Sequence, residues 1–337
     1  MTKAEIQKII DDLATVSERR NYWLVRTMGG QYYHDFVANG FIAIGYDEVP
    51  VSEIAKANTN DNTAQKIIGA LIKKIYPKEQ RPNYIGRQIL DFTYYIKKGD
   101  IVVIPSVSSD LLSIGEVVET PIYQEQTPAK DIPEVCPFEK RKKIKWLKKD
   151  LRLDKLDANL LRLKYTRRTI TSIDEDLSDF IDRLITPLFI KKDDAHLSLD
   201  IRQEQGIKAA ELFETWLDLF KVAEEFGKDN NLDINKNDYE VRINVQSPGT
   251  IEFISYSVIG IVVLSTIVAA VIGAEYEANT KLFNFKIKSD GLIKQITNFL
   301  NNKTDRKFKE EITKKVKKMN ITADEMVKIL EQLNKKN

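Results

Sequence analysis

Residues 253–274, from Phe253 through Ser265 to Ala274, carry no charged side chain over twenty-two consecutive positions. No ordinary protein surface tolerates such a run, so it must lie in lipid or in a core. As one helix it would rise about 33 Å, enough to cross a hydrocarbon layer of about 30 Å. Glu252 and Glu275 bracket it sharply. Ser265, Ala269 and Gly273 fall four apart, a stripe of small side chains that lets membrane helices approach closely and self-associate. A transmembrane helix over 251–275 is therefore the expectation, with the stripe as its oligomerisation face. The alternative is a buried hydrophobic element, because half of the run is Ile, Val or Thr, residues that also suit buried strands. Topology favours that alternative. Met1–Val16 reads as an amphipathic, charged helix rather than a signal peptide. The large N-terminal part would then stay inside, leaving outside a tail with Lys281, Lys286, Lys288 and Lys294 against only Lys236 and Arg242, contrary to the positive-inside rule.

The rest of the chain is strongly charged but nearly balanced, at a formal net charge of +2. The balance is a cancellation. Residues 140–168 hold thirteen Lys/Arg and three Asp, residues 174–200 hold eight acids against three bases, and residues 275–337 hold fifteen bases against nine acids. The local charge of +10 attracts phosphates over a Debye length. A solvated, self-compensating surface is the competing reading. One cysteine, Cys136, and two histidines, His34 and His196, exclude a disulfide framework, a cysteine-ligated zinc site within one chain and a His-rich metal centre. No cofactor and no metal site is expected. His34-Asp35 has the types of a base or metal pair but reads as a surface turn.

Periodicity divides the remainder. Strands are expected at Tyr22–Val25, Phe41–Gly45, Ile101–Ile104, Leu112–Val118 and Lys142–Leu147, and helices at Thr63–Tyr76, Asp174–Ile185 and Gln205–Phe226. Tyr239–Gln246, the turn Ser247-Pro248-Gly249 and the alternation from Thr250 read as a hairpin leading into the apolar run. Leu282–Lys288 reads as a strand and Gly291–Leu300 as a helix capped by Ser289 and Asp290. Thr2-Lys-Ala-Glu5 and Thr322-Ala-Asp-Glu325 have the form of capping boxes. The domains expected are 1–170, a helical and hairpin region 171–250, the membrane helix 251–275, and a basic strand-helix tail 276–337.

Tyr22-Trp-Leu-Val-Arg-Thr27 with Gly29-Gly30, Gly40-Phe-Ile-Ala-Ile-Gly-Tyr-Asp47, Gly99-Asp-Ile-Val-Val-Ile-Pro-Ser106 with Ile114-Gly-Glu-Val117, and the basic strand ending Lys145-Trp-Leu147 occur in that order. Together they resemble the PUA-like domain found N-terminal to Mrr-type restriction nucleases and in other prokaryotic defence proteins, in the superfamily that also holds EVE and YTH domains. The resemblance covers about residues 20–170. It implies an α+β chain that begins with a small PUA-like β-barrel with flanking helices, and a pocket for a flipped or modified base. Trp23, Tyr46 and Trp146 would stack on that base, and Arg26 and Ser106 would hydrogen-bond it. Tyr46 stands where the family commonly has Trp. Lys142, Lys143, Lys148 and Lys149 would contact a nucleic-acid backbone. For each aromatic taken alone, a core position is the plainer reading.

Three functions are expected from these features. The first is a non-enzymatic sensor of antiviral defence, in which capture of a base, nucleotide or nucleic acid is coupled to an oligomerising membrane segment. It places the chain in a prokaryotic inner membrane with a cytoplasmic N-terminal domain. The second is an Mrr-like nuclease, for which Asp290 with Asp305-Arg-Lys307 is the best match to an acid followed by acid-x-Lys. Residues 301–318 read as loop and helix rather than as the required strand, and no catalytic residue is assigned. The third is a cytoplasmic nucleic-acid-binding scaffold with the apolar run buried in its core.

Overall fold

Short β-branched runs bounded by turn residues, such as Ile101–Pro105 after Gly99-Asp100, set the sheets of this chain. The computed structural model describes residues 7, 9–57, 61–125, 132–201, 206–243, 249–273, 292–302, 306–322, 326 and 328–330. The chain divides into two compact units, Arg19–Ile185 and a second made of Met1–Glu18 with Thr186–Asn337. The first is thus inserted into the second.

The strands, in chain order, are β1 Thr15–Val16, β2 Tyr22–Val25, β3 Phe41–Ile44, β4 Ile101–Pro105, β5 Leu111–Val117, β6 Tyr123–Gln124, β7 Lys140–Arg152, β8 Ile170–Ser172, β9 Leu188–Lys191, β10 Asp194–Ile201, β11 Glu240–Ile243, β12 Gly249–Ser255 and β13 Ile321–Thr322. In the inserted unit the sheet runs β3-β7-β5-β4-β2-β8, with β6 beside β7. Among the described pairings of this unit β2 and β4 are parallel and the others antiparallel. The long β7 pairs with β3 through its first residues and with β5 through the rest, with register shifts around Ile114. Such irregularities curl a sheet. The curl makes a half-barrel. The expected small barrel is corrected here, because β3 and β8 end the sheet and no described pairing joins them. Helices α1 Tyr33–Asn39, α2 Val51–Ala57, α3 Asn62–Ile75 and α4 Pro82–Leu90 precede β4, and α4 runs into a π-helical turn, Asp91–Tyr95. Ile68, Ile72, Ile89 and Phe92 bury one side of this layer together with Phe41, Ile42 and Ile104. Helix α5, Glu175–Ile185, and the 3₁₀ segment Ala158–Tyr165 bury Leu160, Leu163, Leu177 and Ile181 against Leu24 and Val103.

The second unit carries the sheet β1-β9-β10-β12-β11, with β13 beside the end of β10. Ala195, Leu197, Leu199 and Ile201 alternate along β10 and enter one core with Ile251 and Phe253 of β12. Helix α6, Ala209–Asp229, brings Trp216 and Phe220 onto Phe253, with ring centroids 4.4 and 5.5 Å away. Helix α7 is Val258–Gly273, and α8 Leu292–Asn302, α6 and α9 Arg306–Lys318 pack around it. Ile9 and Leu13, at the start of the chain, complete the same core.

The charge-free run is therefore not a membrane helix. Phe253–Ser255 end β12, and the helix that comes next has 16 residues, a rise of about 24 Å. No described helix is long and apolar enough to cross a membrane. Serines make the break: the Ser257 amide donates to Ser255 Oγ (3.0 Å), and Ser257 Oγ caps the new helix by accepting from the Gly260 amide (3.2 Å). A helix apolar on every side is surrounded on every side, here by protein. Ile261, Val262, Val263, Leu264, Ile267 and Val268 are fully buried in the core of the second unit. Ser265 and Ala269 are buried in it too, Ser265 donating to the Val262 carbonyl at 2.8 Å, and Gly273 closes the helix. Ala274, the expected strand 282–288, its following caps Ser289 and Asp290, residues 2–5, 244–248 and 323–325 lie outside the described residues.

Candidate nucleic-acid interface

Four of the five residues expected to line a base pocket are committed to holding the half-barrel together, and the hydroxyl of the fifth, Tyr46, bonds only weakly. Trp23 on β2 is buried, and its Nε1 donates to Asp100 Oδ2 at 2.9 Å. The Asp100 carboxylate, buried at the start of β4, also accepts from the amides of Asn21 and Lys97 and from Asn21 Nδ2. Trp146 on β7 donates from Nε1 to the Phe36 carbonyl at 3.0 Å, and its ring lies over Gly115, where a Cβ would meet ring carbon at 2.7 Å. Ser106 Oγ accepts from the Leu111 amide at 2.9 Å and closes the β4–β5 turn. Tyr46 sits elsewhere, at φ +63°, with its ring edge-on to Tyr76 at 5.3 Å and its hydroxyl 3.5 Å from Glu79. Burial raises its phenol pKa. These contacts do not bring the three expected stacking rings together.

Arg26 does structural work of a different kind. Its Nη1 donates to Ser109 Oγ (3.0 Å), and Nη2 gathers the carbonyls of Leu163 (3.1 Å), Lys164 (2.9 Å) and Thr166. Those carbonyls end the 3₁₀ segment Ala158–Tyr165, where the Leu163 carbonyl also accepts from the Thr166 amide at 3.4 Å. Beside it, Thr27 Oγ1 donates to the Pro105 carbonyl at 2.7 Å. Gly30, at φ +99°, presses against the next turn so closely that a Cβ would lie 2.1 Å from the Val107 nitrogen. Ser108 and Ser109 both adopt left-handed backbone there. One guanidinium thus clamps the loop after β2, the β4–β5 turn and the segment before β8.

The basic window divides in two. At its start, Lys140 and Lys142 are fully buried and Arg141 nearly so. Lys140 Nζ donates to the Tyr46 carbonyl (2.9 Å), with Asp47 Oδ1 at 3.4 Å. Arg141 lies over the Phe41 ring, its carbon Cζ 4.0 Å from the centroid, and donates to the carbonyls of Phe138 and Cys136 and to Glu125. Lys142 Nζ donates to the carbonyls of Thr93 (3.4 Å) and Thr120, and burial pushes its pKa down to about 8. Lys142 is therefore corrected from a backbone-contacting residue to an internal one. From Lys143 onward the window is a surface. Lys143, Lys145, Lys149, Arg152, Lys155, Arg162, Lys164, Arg167 and Arg168 are exposed, and Lys148 is half-buried. Lys143 pairs with Glu119 (3.3 Å), Arg152 with Asp154 (2.8 Å), and Arg162 and Lys164 stand 3.9 Å from Asp174 and Asp110. Among the described residues Lys145, Lys149, Arg167 and Arg168 make no ion pair. Reading the window by composition missed this division; it counted Arg167 and Arg168 only as part of the local charge and passed over Tyr165 between them and the strand.

Several other titratable groups have local partners. Tyr33 Oη donates to Asp150 Oδ1 (2.9 Å) and lies 2.6 Å from Ser113 Oγ, and burial pushes its phenol up to about 12. Burial likewise pushes the Cys136 thiol up to about 12. Asp35 accepts from Asn39 Nδ2 (2.6 Å) and the Cys136 amide (2.8 Å), beside an exposed His34. His196 Nδ1 lies 3.0 Å from Glu252 Oε1, and its ring stacks on Phe189 at 4.7 Å. Among the described residues no three His, Cys, Asp or Glu side chains group as metal ligands. Arg306 opens α9, so this part of the acid-x-Lys match falls on a helix, and Asp290 and Asp305 lie outside the described residues. No curated protein matches the chain. Residues 22–174, a span within the inserted unit, match the family model of a domain of unknown function (DUF8426).

Proposed function

We propose that the inserted unit binds nucleic acid through the exposed part of its basic window, and that the protein acts by recognition rather than catalysis. The observation that carries this reading is the run of nine exposed Lys and Arg along the outer part of β7 and the segment up to Arg168. Four of them lack an acidic partner among the described residues. Such a surface attracts a polyanion by releasing its counterions. The resemblance to PUA-like domains, whose ligands are bases and nucleic acids, supports the same ligand class. Membrane coupling forms no part of this proposal, because the segment it required is core.

Fluorescence anisotropy of the full chain with labelled DNA and RNA, titrated across salt, tests it. Binding should weaken steeply as salt rises, with log K falling by about 0.7–0.9 per contacted phosphate for each log unit of salt. Replacing Lys145 and Lys149 together by Glu should weaken binding to every sequence and flatten that slope by about two. Binding that ignores salt, or a double variant with unchanged slope, would remove the proposal.

A further inference from the structure

Past the basic strand, one large aromatic side chain stands in solvent without a packing partner. Tyr165 is 77 % exposed, the most open of the large apolar residues among those described. Its side chain makes no ring contact and no hydrogen bond among the described residues. A lone exposed apolar residue means little, but three further facts bear on this one.

The first is that its backbone is fixed. Leu160 and Leu163 of the same 3₁₀ segment are buried in the core beneath it. The Arg26 guanidinium holds the carbonyls on both sides of Tyr165, those of Lys164 and Thr166. An exposed ring on an anchored turn is pre-organised, so little ordering is left to be lost on binding. The second is its neighbourhood in the chain. In a 3₁₀ helix, side chains three apart eclipse, which places Arg162 in register with Tyr165 and Lys164 with the exposed Leu161. The third is the pair of cations just beyond the ring. Thr166 is extended, and Arg167 and Arg168 come next, exposed and without an ion pair among the described residues. At roughly 3.3 Å per extended residue, the two cations lie within about 10 Å along the chain from the ring.

A rigid, solvent-facing ring flanked by unpaired guanidinium groups is the arrangement that receives unpaired bases. Bases stack on aromatic faces regardless of sequence while cations track the phosphates. A duplex keeps its base faces stacked internally and offers such a ring nothing but its backbone. We infer that Tyr165 with Arg167 and Arg168 forms a platform that makes the inserted unit prefer single-stranded over double-stranded nucleic acid. This rests on the proposal that the basic surface binds nucleic acid, and it adds the class of strand and the residue that selects it. Arg26, reaching the platform only through backbone carbonyls, is a positioning residue.

The test compares a labelled oligo-dT of about 20 nucleotides, longer than a typical site for one binding fold, with a duplex of equal length. Both are bound to the full chain by anisotropy at several salt concentrations. Tyr165→Ala should weaken binding to the single strand about tenfold or more, leave the duplex within about twofold and leave the salt slope unchanged. Tyr165→Phe, which keeps the ring, should bind like the parent. Arg167→Glu with Arg168→Glu should weaken both ligands and lower the salt slope by about two. Thermal melts of each variant check folding. A Tyr165→Ala variant that binds the single strand like the parent, or loses both ligands equally, overturns the platform while leaving nucleic-acid binding in place. A parent protein that binds neither ligand overturns both.

Discussion

The apolar run 253–274 and the basic run 140–168 are the two compositional extremes of the chain, and the fold treats them in opposite ways. The apolar run looks like a surface for lipid, yet most of its described residues are interior, with Tyr256 the exposed exception. The basic run looks like a surface throughout and gives its first three cations, Lys140, Arg141 and Lys142, to the interior. What decides each case is the neighbours. The faces of α7 that would meet lipid meet α6, α8, α9 and the sheet instead. The buried lysines find carbonyls and an aspartate at the ends of loops. Composition sets the energetic cost of each environment, whereas topology decides which environment is supplied.

Four experiments can break this contrast. The largest effect should come from Val268→Asp in α7. An unpaired carboxylate in a fully buried site costs more than about 4 kcal/mol, so the second unit should fail to fold, seen as lost cooperativity in urea unfolding. A tolerated aspartate would mean that α7 is not core.

Next is the buried end of the basic run. The ordinary lysine pKa of 10.5 falls to about 8 at Lys142 through burial. Below pH 8 the amine is charged in both folded and unfolded chains, and the folded one bears the penalty. Between about pH 8 and 10.5 the folded chain has released the proton while the unfolded chain retains it, so stability rises with pH. The gain attributable to this group is at most about 3 kcal/mol. The difference in unfolding free energy between the parent and Lys142→Met should therefore shift across that window. A difference independent of pH would show that Lys142 is not desolvated.

A smaller effect, about 1 kcal/mol, is expected for Ser257→Ala, which removes the cap that splits the apolar run into strand and helix. Chemical denaturation of the second unit reads it directly. Smallest is Lys149→Glu at the exposed end of the basic run, which should change stability by less than about 0.5 kcal/mol while weakening nucleic-acid binding. A large stability loss there would make that end structural as well.

Much of the inserted unit was legible because its signals are local. Tyr22–Val25, Phe41–Ile44, Ile101–Pro105 and the helix Asn62–Ile75 arise from β-branched runs, turn residues and a 3.6-residue period. Helix Pro82–Leu90 and strands Leu188–Lys191 and Asp194–Ile201 escaped that reading. The alternation Ala195, Leu197, Leu199, Ile201 carried the signal for the last of these. The site was less legible because its deciding contacts are remote in sequence. Trp23 is claimed by Asp100, Trp146 by the Phe36 carbonyl, and Arg26 by carbonyls near residue 165. No local pattern shows that an aromatic or cationic side chain already has a partner across the fold. Ser255 and Ser257 were visible inside the apolar run, but serines are common in both membrane helices and turns, so only the fold distinguished them.

The parallel pairing of β1 with β9 sets an order of events in biosynthesis. Thr15 must wait for Ile190, which at about 5–20 residues per second is synthesised roughly ten to thirty seconds later. Closing so long a loop costs entropy while it remains unstructured. Once the insert folds, Tyr22 and Ile173 are hydrogen-bonded neighbours, with the Ile173 amide 2.8 Å from the Tyr22 carbonyl. The effective loop then shrinks to residues 17–21 after β1 and residues 174–187 before β9, the latter mostly the helix Glu175–Ile185. A folded insert thus lowers the entropic cost of pairing β1 with β9, and a variant that delays its folding should leave the segment around Thr15 and Val16 open to proteolysis in nascent chains.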